Sequence, residues 1–124
     1  MDASNLSQSE ISTALKGFFN IASQWGLSTE QELTLLGVSD KSALDAWQEG
    51  TAPAPSDDTL ERISYVFGIY RALRILFPTT ERASEWPAKP NSFFEGKSAL
   101  EVMLDGRLSE VRRYLDSEIQ CGYL

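Results

Sequence analysis

Few side chains in this sequence could do chemistry, and their types narrow what chemistry is open. The chain has no histidine and one cysteine, Cys121. Without histidine there is no Ser-His or Cys-His nucleophile pair, and most transition-metal sites lose their usual ligand. No catalytic residue, metal or cofactor is expected. Carboxylates remain, and Asp57-Asp58 is the one adjacent acid pair. A cleft that strongly shifted one of them would support acid–base work, but the pair stands where a helix should begin. Gly96-Lys97-Ser98 has the ending of a phosphate-binding loop. That motif needs a glycine at position 91 and a strand ahead of it. Position 91 is asparagine and Phe93-Phe94 fill the loop, so Ser98 reads as a helix cap instead. A single cysteine makes no internal disulfide, which fits a reducing cytoplasm. The acidic, polar N-terminus MDASNLSQSE does not read as a signal peptide. The candidates that remain are binding residues, and the surrounding elements must place them.

Those elements read as helices throughout. From Asp57 to Phe77, residues Leu60, Ile63, Val66, Phe67, Tyr70, Leu73 and Phe77 follow the period of one helical face. Ile69, Ile75 and Leu76 fall off that stripe, so the second half of this central helix is expected to be buried on several sides. Each apolar side chain sealed from water contributes about 1.5–3 kcal/mol. Asp58 and Glu61 have the spacing of a capping box, and Pro78 stops the helix. Gly68 in its middle costs roughly 1 kcal/mol relative to Ala, which a closely crossing neighbour would explain.

Ahead of it, Ser7 and Glu10 open a helix from about Gln8 to Gln24, with Ile11, Leu15, Phe18, Ala22 and Trp25 inward and Gly26 at its end. Ser28 and Gln31 open a shorter one that turns Leu33 and Leu36 inward and ends at Gly37. Ser39 or Asp40 caps a third, carrying Ala43, Leu44 and Trp47 and ending before Gly50. The spacer TAPAPSDD marks a boundary, giving modules 1–56 and 57–124. Beyond the central helix, Thr80 is expected to cap a short helix running to Glu85 or Trp86. In the loop PAKPNSFFEGK one of Phe93 and Phe94 docks inward and the other stays exposed. Ser98 and Glu101 open a helix to about Leu104. A last helix, Leu108 to about Gln120, packs Leu108, Val111, Leu115 and Ile119. No segment alternates as a strand would. No apolar run reaches the roughly 20 residues of a membrane span. The fold class is all-α, a small head joined through a long central helix to a C-terminal helical module.

The net charge of −7 argues against a generally sticky nucleic-acid surface. Residues 1–50 hold seven acids against two bases, and the remainder eleven against nine. Two short helices joined by Gly37-Val38-Ser39 have the form of a helix-turn-helix. The fragment LLGVSDKSALDAWQEG resembles the turn and second helix of Xre-type repressor heads. The functional reading puts Lys41, Ser42 and Gln48 against a DNA groove. The competing reading is a plain helical hairpin burying Leu36, Leu44 and Trp47. Asp40, Asp45 and Glu49 oppose a single Lys41 on the second helix, so this head would bind DNA weakly alone, or not at all.

Gly96 to Asp116, GKSALEVMLDGRLSEVRRYLD, resembles the C-terminal toxin-binding domain of Xre/MbcA/ParS-like antitoxins through Gly96, Ser98, Leu100, Met103, Leu104, Gly106, Val111, Arg112, Tyr114 and Leu115. Leu60 to Pro78 is similar to the family's linking helix. The resemblance implies an antitoxin that neutralises an NAD-degrading RES-domain toxin stoichiometrically. Its C-terminal part covers the toxin and its tail occludes the NAD pocket. It also implies a homodimer within the complex, and repression of its own operon by that complex. The contact residues so implied are Arg112, Arg113, Tyr114 and Asp116, with the tail Gly122, Tyr123 and Leu124. Arg and Tyr are common interface anchors. The plain reading of the same residues is a core tyrosine, a solvated arginine face and a frayed end. A stand-alone DNA-binding regulator and a carboxylate enzyme remain as alternatives.

Overall fold

The computed structural model describes residues 7–50 and 54–123. The described chain is all-α. Its helices are α1 (Gln8–Trp25), α2 (Thr29–Leu36), α3 (Lys41–Glu49), α4 (Asp57–Leu76), α5 (Thr80–Glu85), α6 (Ala99–Leu104) and α7 (Leu108–Glu118). Short 3-10 turns lie at Trp86–Ala88 and Ser92–Phe94, and a π-helical stretch, Ile119–Tyr123, follows α7. Among the described residues the β-structure is one isolated antiparallel bridge between Pro90 and Ser98. No described helix is long and apolar enough to cross a membrane. The chain forms two compact units, Met1–Ser64 and Tyr65–Leu124, and the division falls inside α4.

In the first unit the helix limits follow the capping chemistry. Ser7 accepts from the Glu10 N–H at 3.1 Å, and Glu10 accepts in return from the Ser7 N–H at 3.2 Å. Ser28 and Gln31 form the same reciprocal pair at the start of α2. Of the two caps expected for α3, Asp40 takes the role. Ile11, Leu15, Phe18, Ala22 and Trp25 are buried as their spacing requires, and Ile21 joins them. In α2 the inward pair is Leu35 and Leu36, and Leu33 is half-buried. The cause is the tether at the end of that helix. Thr59 donates its hydroxyl to the Leu36 carbonyl at 2.8 Å, so the last turn of α2 is the part drawn inward. Gly37 then reverses the chain at φ 73°, and a Cβ there would also run into the Arg62 guanidinium.

The cap of α4 is Ser56, not Asp58. Ser56 Oγ accepts from the Thr59 N–H at 3.2 Å, and its carbonyl accepts from the Leu60 N–H at 3.0 Å. Asp57 and Asp58 are already helical, and Asp58 pairs with Arg62 at 3.0 Å. Along α4, Leu60, Ile63, Val66, Ile69, Ala72 and Leu73 are buried. Ile69 thus belongs to the inward face. Ile75 is exposed, and Leu76 and Phe77 are half-buried, so the end of α4 is not enclosed on several sides.

In the second unit Thr79, not Thr80, caps α5, because Thr80 is already the first helical residue. Ser98 caps α6 through the Glu101 N–H at 3.1 Å. Leu108, Val111 and Leu115 of α7 are buried. Ile119 is half-buried, since the winding changes to π at that residue. The neighbour that Gly68 accommodates is α7: a Cβ at position 68 would overlap the guanidinium of Arg112.

Candidate functional site

The loop from Asn91 to Lys97 closes on itself. The Asn91 carbonyl accepts from the N–H groups of Phe94 and Gly96, and the Asn91 N–H donates to the Lys97 carbonyl, all at 3.0 Å. The Asn91 side chain also accepts from the Phe93 N–H at 2.8 Å. This tight turn sends two consecutive aromatics different ways. Phe94 is buried, while Phe93 is 62% exposed. The Phe93 ring lies 4.3 Å from that of Tyr114, and Trp86 stacks nearly parallel to Tyr114 at 6.3 Å. Offset aromatic contacts of this kind add to burial alone. The Tyr114 hydroxyl donates to Glu118 at 3.0 Å. Burial first, and the Glu118 carboxylate second, push the Tyr114 pKa up. The phenol therefore stays a neutral donor well past physiological pH.

Between this loop and α7 lies an open groove of about 880 Å³. Glu110, Arg113, Tyr114, Ser117 and Glu118 form its helical side. Arg107, also on its wall, is held by Asp105 at 3.2 Å and Glu110 at 3.3 Å. The implied contact residues separate into two groups. Arg113 and Tyr114 open on the groove. Arg112 and Asp116 bond to each other at 3.2 Å, with the guanidinium of Arg112 lying over Gly68. Gly122 and Tyr123 continue the backbone of the π-helical stretch, and Leu124 lies outside the described residues. Tyr114 is neither plain core nor free surface, since its ring is half-buried in an aromatic cluster. Sequence reasoning put one of the two phenylalanines at the surface but missed Trp86 and Tyr114 as its companions. No spacing rule links residues 86, 93 and 114.

On the head, Lys41, Ser42 and Gln48 are all exposed on α3. Asp45 and Glu49 are exposed too, and helical geometry puts them beside Lys41 and Gln48. Ser42 is engaged: its hydroxyl donates to Asp40 at 2.6 Å, and its N–H does so at 2.9 Å. These bonds hold the Asp40 carboxyl below its ordinary range, so it stays ionised at the start of α3.

Comparison with known proteins separates the same two parts. Residues 10–68 match the antitoxin Xre-like helix-turn-helix domain, and residues 72–118 match the antitoxin Xre/MbcA/ParS C-terminal toxin-binding domain. The chain is also 46% identical over 109 residues to the uncharacterized protein y4oB of Sinorhizobium fredii (strain NBRC 101917 / NGR234), covering 84% of this chain and 82% of that protein. Both matched domains are antitoxin domains, and the chain is an antitoxin. No solved structure matches it. The antitoxin thus carries a helix-turn-helix domain ahead of a toxin-binding domain, and its partner is a toxin. The whole groove lies within the matched toxin-binding span.

Proposed function

We propose that this antitoxin neutralises an NAD-degrading RES-domain toxin by direct, stoichiometric binding, with no chemistry of its own. The C-terminal unit covers the toxin, and the last residues, Gly122 to Leu124, occlude the NAD pocket. The observation that carries this reading is the toxin-binding match over residues 72–118, which ends where the backbone passes from α7 into the looser π-helical stretch. Wider winding of that kind often marks functional segments. The exposed side chains of Gln120 and Cys121 also leave that stretch open to a partner. In the complex the antitoxin acts as a homodimer, and the complex binds its own operator. The head alone binds DNA weakly, because Asp45 and Glu49 share the face of Lys41 and Gln48. The same acidic face disfavours a stand-alone transcriptional regulator.

Co-expression with a RES-domain toxin tests this. Growth and cellular NAD should be restored by the full antitoxin. Removing Gly122 to Leu124 should weaken protection while leaving the unfolding transition unchanged. Equal protection by the trimmed chain would rule out the tail as the plug.

A further inference from the structure

The groove beside α7 is balanced in charge within a chain that is not. Lys97, Arg107 and Arg113 line it against Glu95, Glu110 and Glu118. The surplus of seven negative charges therefore lies wholly on other surfaces. Two copies of so acidic a chain repel each other in general, and a surface whose charges cancel adds nothing to that repulsion. An isologous contact sets one patch against itself, so both signs must be present within the patch. Part of the groove's charge is already engaged, Glu110 with Arg107 and Glu118 with the Tyr114 hydroxyl. Lys97, Arg113 and Glu95 have no charged partner among the described residues. Two further features share this rim. Glu95 holds φ 59°, and among the described residues no other side chain sits at a positive φ. That backbone costs a side chain about 1–2 kcal/mol, and glycine would avoid the cost. Two residues earlier, Phe93 is 62% exposed although its ring is seated against Tyr114. A large aromatic kept at the surface forgoes much of the stabilisation that burial would give it.

We propose that two copies of the antitoxin meet at this groove, loop against loop about a two-fold axis. This rests on the homodimer of the reading above and names its surface. Glu95 and Lys97 flank Gly96, two residues apart on one loop. A two-fold axis at Gly96 sets the Glu95 of each copy opposite the Lys97 of the other, so the same pair forms twice. A Cβ at Gly96 would meet no atom within 4 Å, so the space a second loop needs is open. Phe93 of each copy enters the groove of the other, where Arg113 presents a guanidinium to the ring. The described lining of the groove ends at Glu118, ahead of the last residues assigned to the toxin.

Sedimentation velocity of the full antitoxin alone, over a concentration series, tests this. Phe93→Ser, Lys97→Glu, Glu95→Lys and an equal mixture of the two charge reversals are compared with wild type. Phe93→Ser should weaken self-association roughly 30-fold or more, the level of an anchor residue. Each charge reversal alone should weaken it about tenfold, because like charges then face each other across the axis. Their mixture should return to within about threefold of wild type, since opposite charges face each other again in the mixed dimer. A general charge effect behaves differently. It would weaken self-association in Lys97→Glu and strengthen it in Glu95→Lys, which brings the net charge nearer zero. Recovery in the mixture also excludes misfolding of the single variants, and circular dichroism melts should coincide for all of them. A wild type that stays monomeric overturns this proposal together with the homodimer, and leaves toxin neutralisation standing. A dimer that no variant weakens, or single reversals that do not recover when mixed, overturn the groove contact alone. Unchanged self-association with weakened affinity for a RES-domain toxin would make the groove a toxin surface, and would overturn it as well.

Discussion

At Gly68 two small effects oppose each other. Alanine in mid-helix is favoured over glycine by about 1 kcal/mol. Its Cβ, however, would overlap the Arg112 guanidinium. The overlapped atoms are the far end of a flexible side chain, so the guanidinium can swing away. The loss is then the pair with Asp116, whose two side chains are each nearly half exposed, a contact worth about 0–1 kcal/mol. The terms nearly cancel, and Gly68→Ala should leave the unfolding free energy within about 0.5 kcal/mol of wild type. In an Arg112→Ala background the same change should stabilise by about 1 kcal/mol. Urea titration of the four proteins checks this; an equal effect in both backgrounds would clear Arg112 of responsibility. A glycine inside so apolar a helix announced a close neighbour from sequence. Which neighbour was not legible, because helical period speaks only for residues on one element. Tyr114 is the same case: its role comes from Trp86 and Phe93 meeting it, not from its own place on α7.

For the elements, legibility depended on whether capping signals overlapped. Ser7, Ser28 and Ser98 each precede a single Glu or Gln three residues on, and each caps its helix; the first two close the full reciprocal box, whereas the Glu101 carboxylate meets the Ser98 hydroxyl instead of its backbone N–H. Before α4 two frames compete, Ser56 with Thr59 and Asp58 with Glu61. The earlier frame prevails since it adds the Leu60 N–H to Ser56 carbonyl bond, and Thr59 is drawn inward to reach Leu36. Thr79 and Thr80 pose the same ambiguity at α5. Ser56→Ala should therefore destabilise by about 1 kcal/mol, the usual cost of losing a cap. Asp58→Ala should cost no more than about 0.5 kcal/mol, because it removes only a surface pair one turn from Arg62. Thermal unfolding of both variants decides the order, and a larger loss from Asp58→Ala would return the cap to that residue. Leu33 shows the limit of periodicity in short helices. In α2 the tether at Leu36, not the period, chooses which leucines face inward.

Across the whole molecule, charge is what most separates the shape of the head from its chemistry. The all-α architecture and the helix-turn-helix form were readable from capping pairs and glycine stops. The acids on α3 were readable too, and their exposure places them on the same face as Lys41 and Gln48. With a net charge of −7, the chain offers little long-range attraction to phosphate. Asp45→Lys with Glu49→Lys keeps the helix pattern and reverses that face. The double variant should bind duplex DNA at about 100 mM salt at least tenfold more tightly than wild type. Its log K against log salt should steepen by roughly 2, near 0.9 for each new phosphate contact. Its affinity for the toxin should not change, because the toxin-binding span lies in the other unit. Mobility shifts across a salt series measure both quantities. If the unmodified antitoxin alone already binds its operator tightly, with a slope of several, α3 is not the surface that meets the phosphates. The cations doing so would then have to be found elsewhere, with the exposed Arg71 and Arg74 of α4 the first to replace.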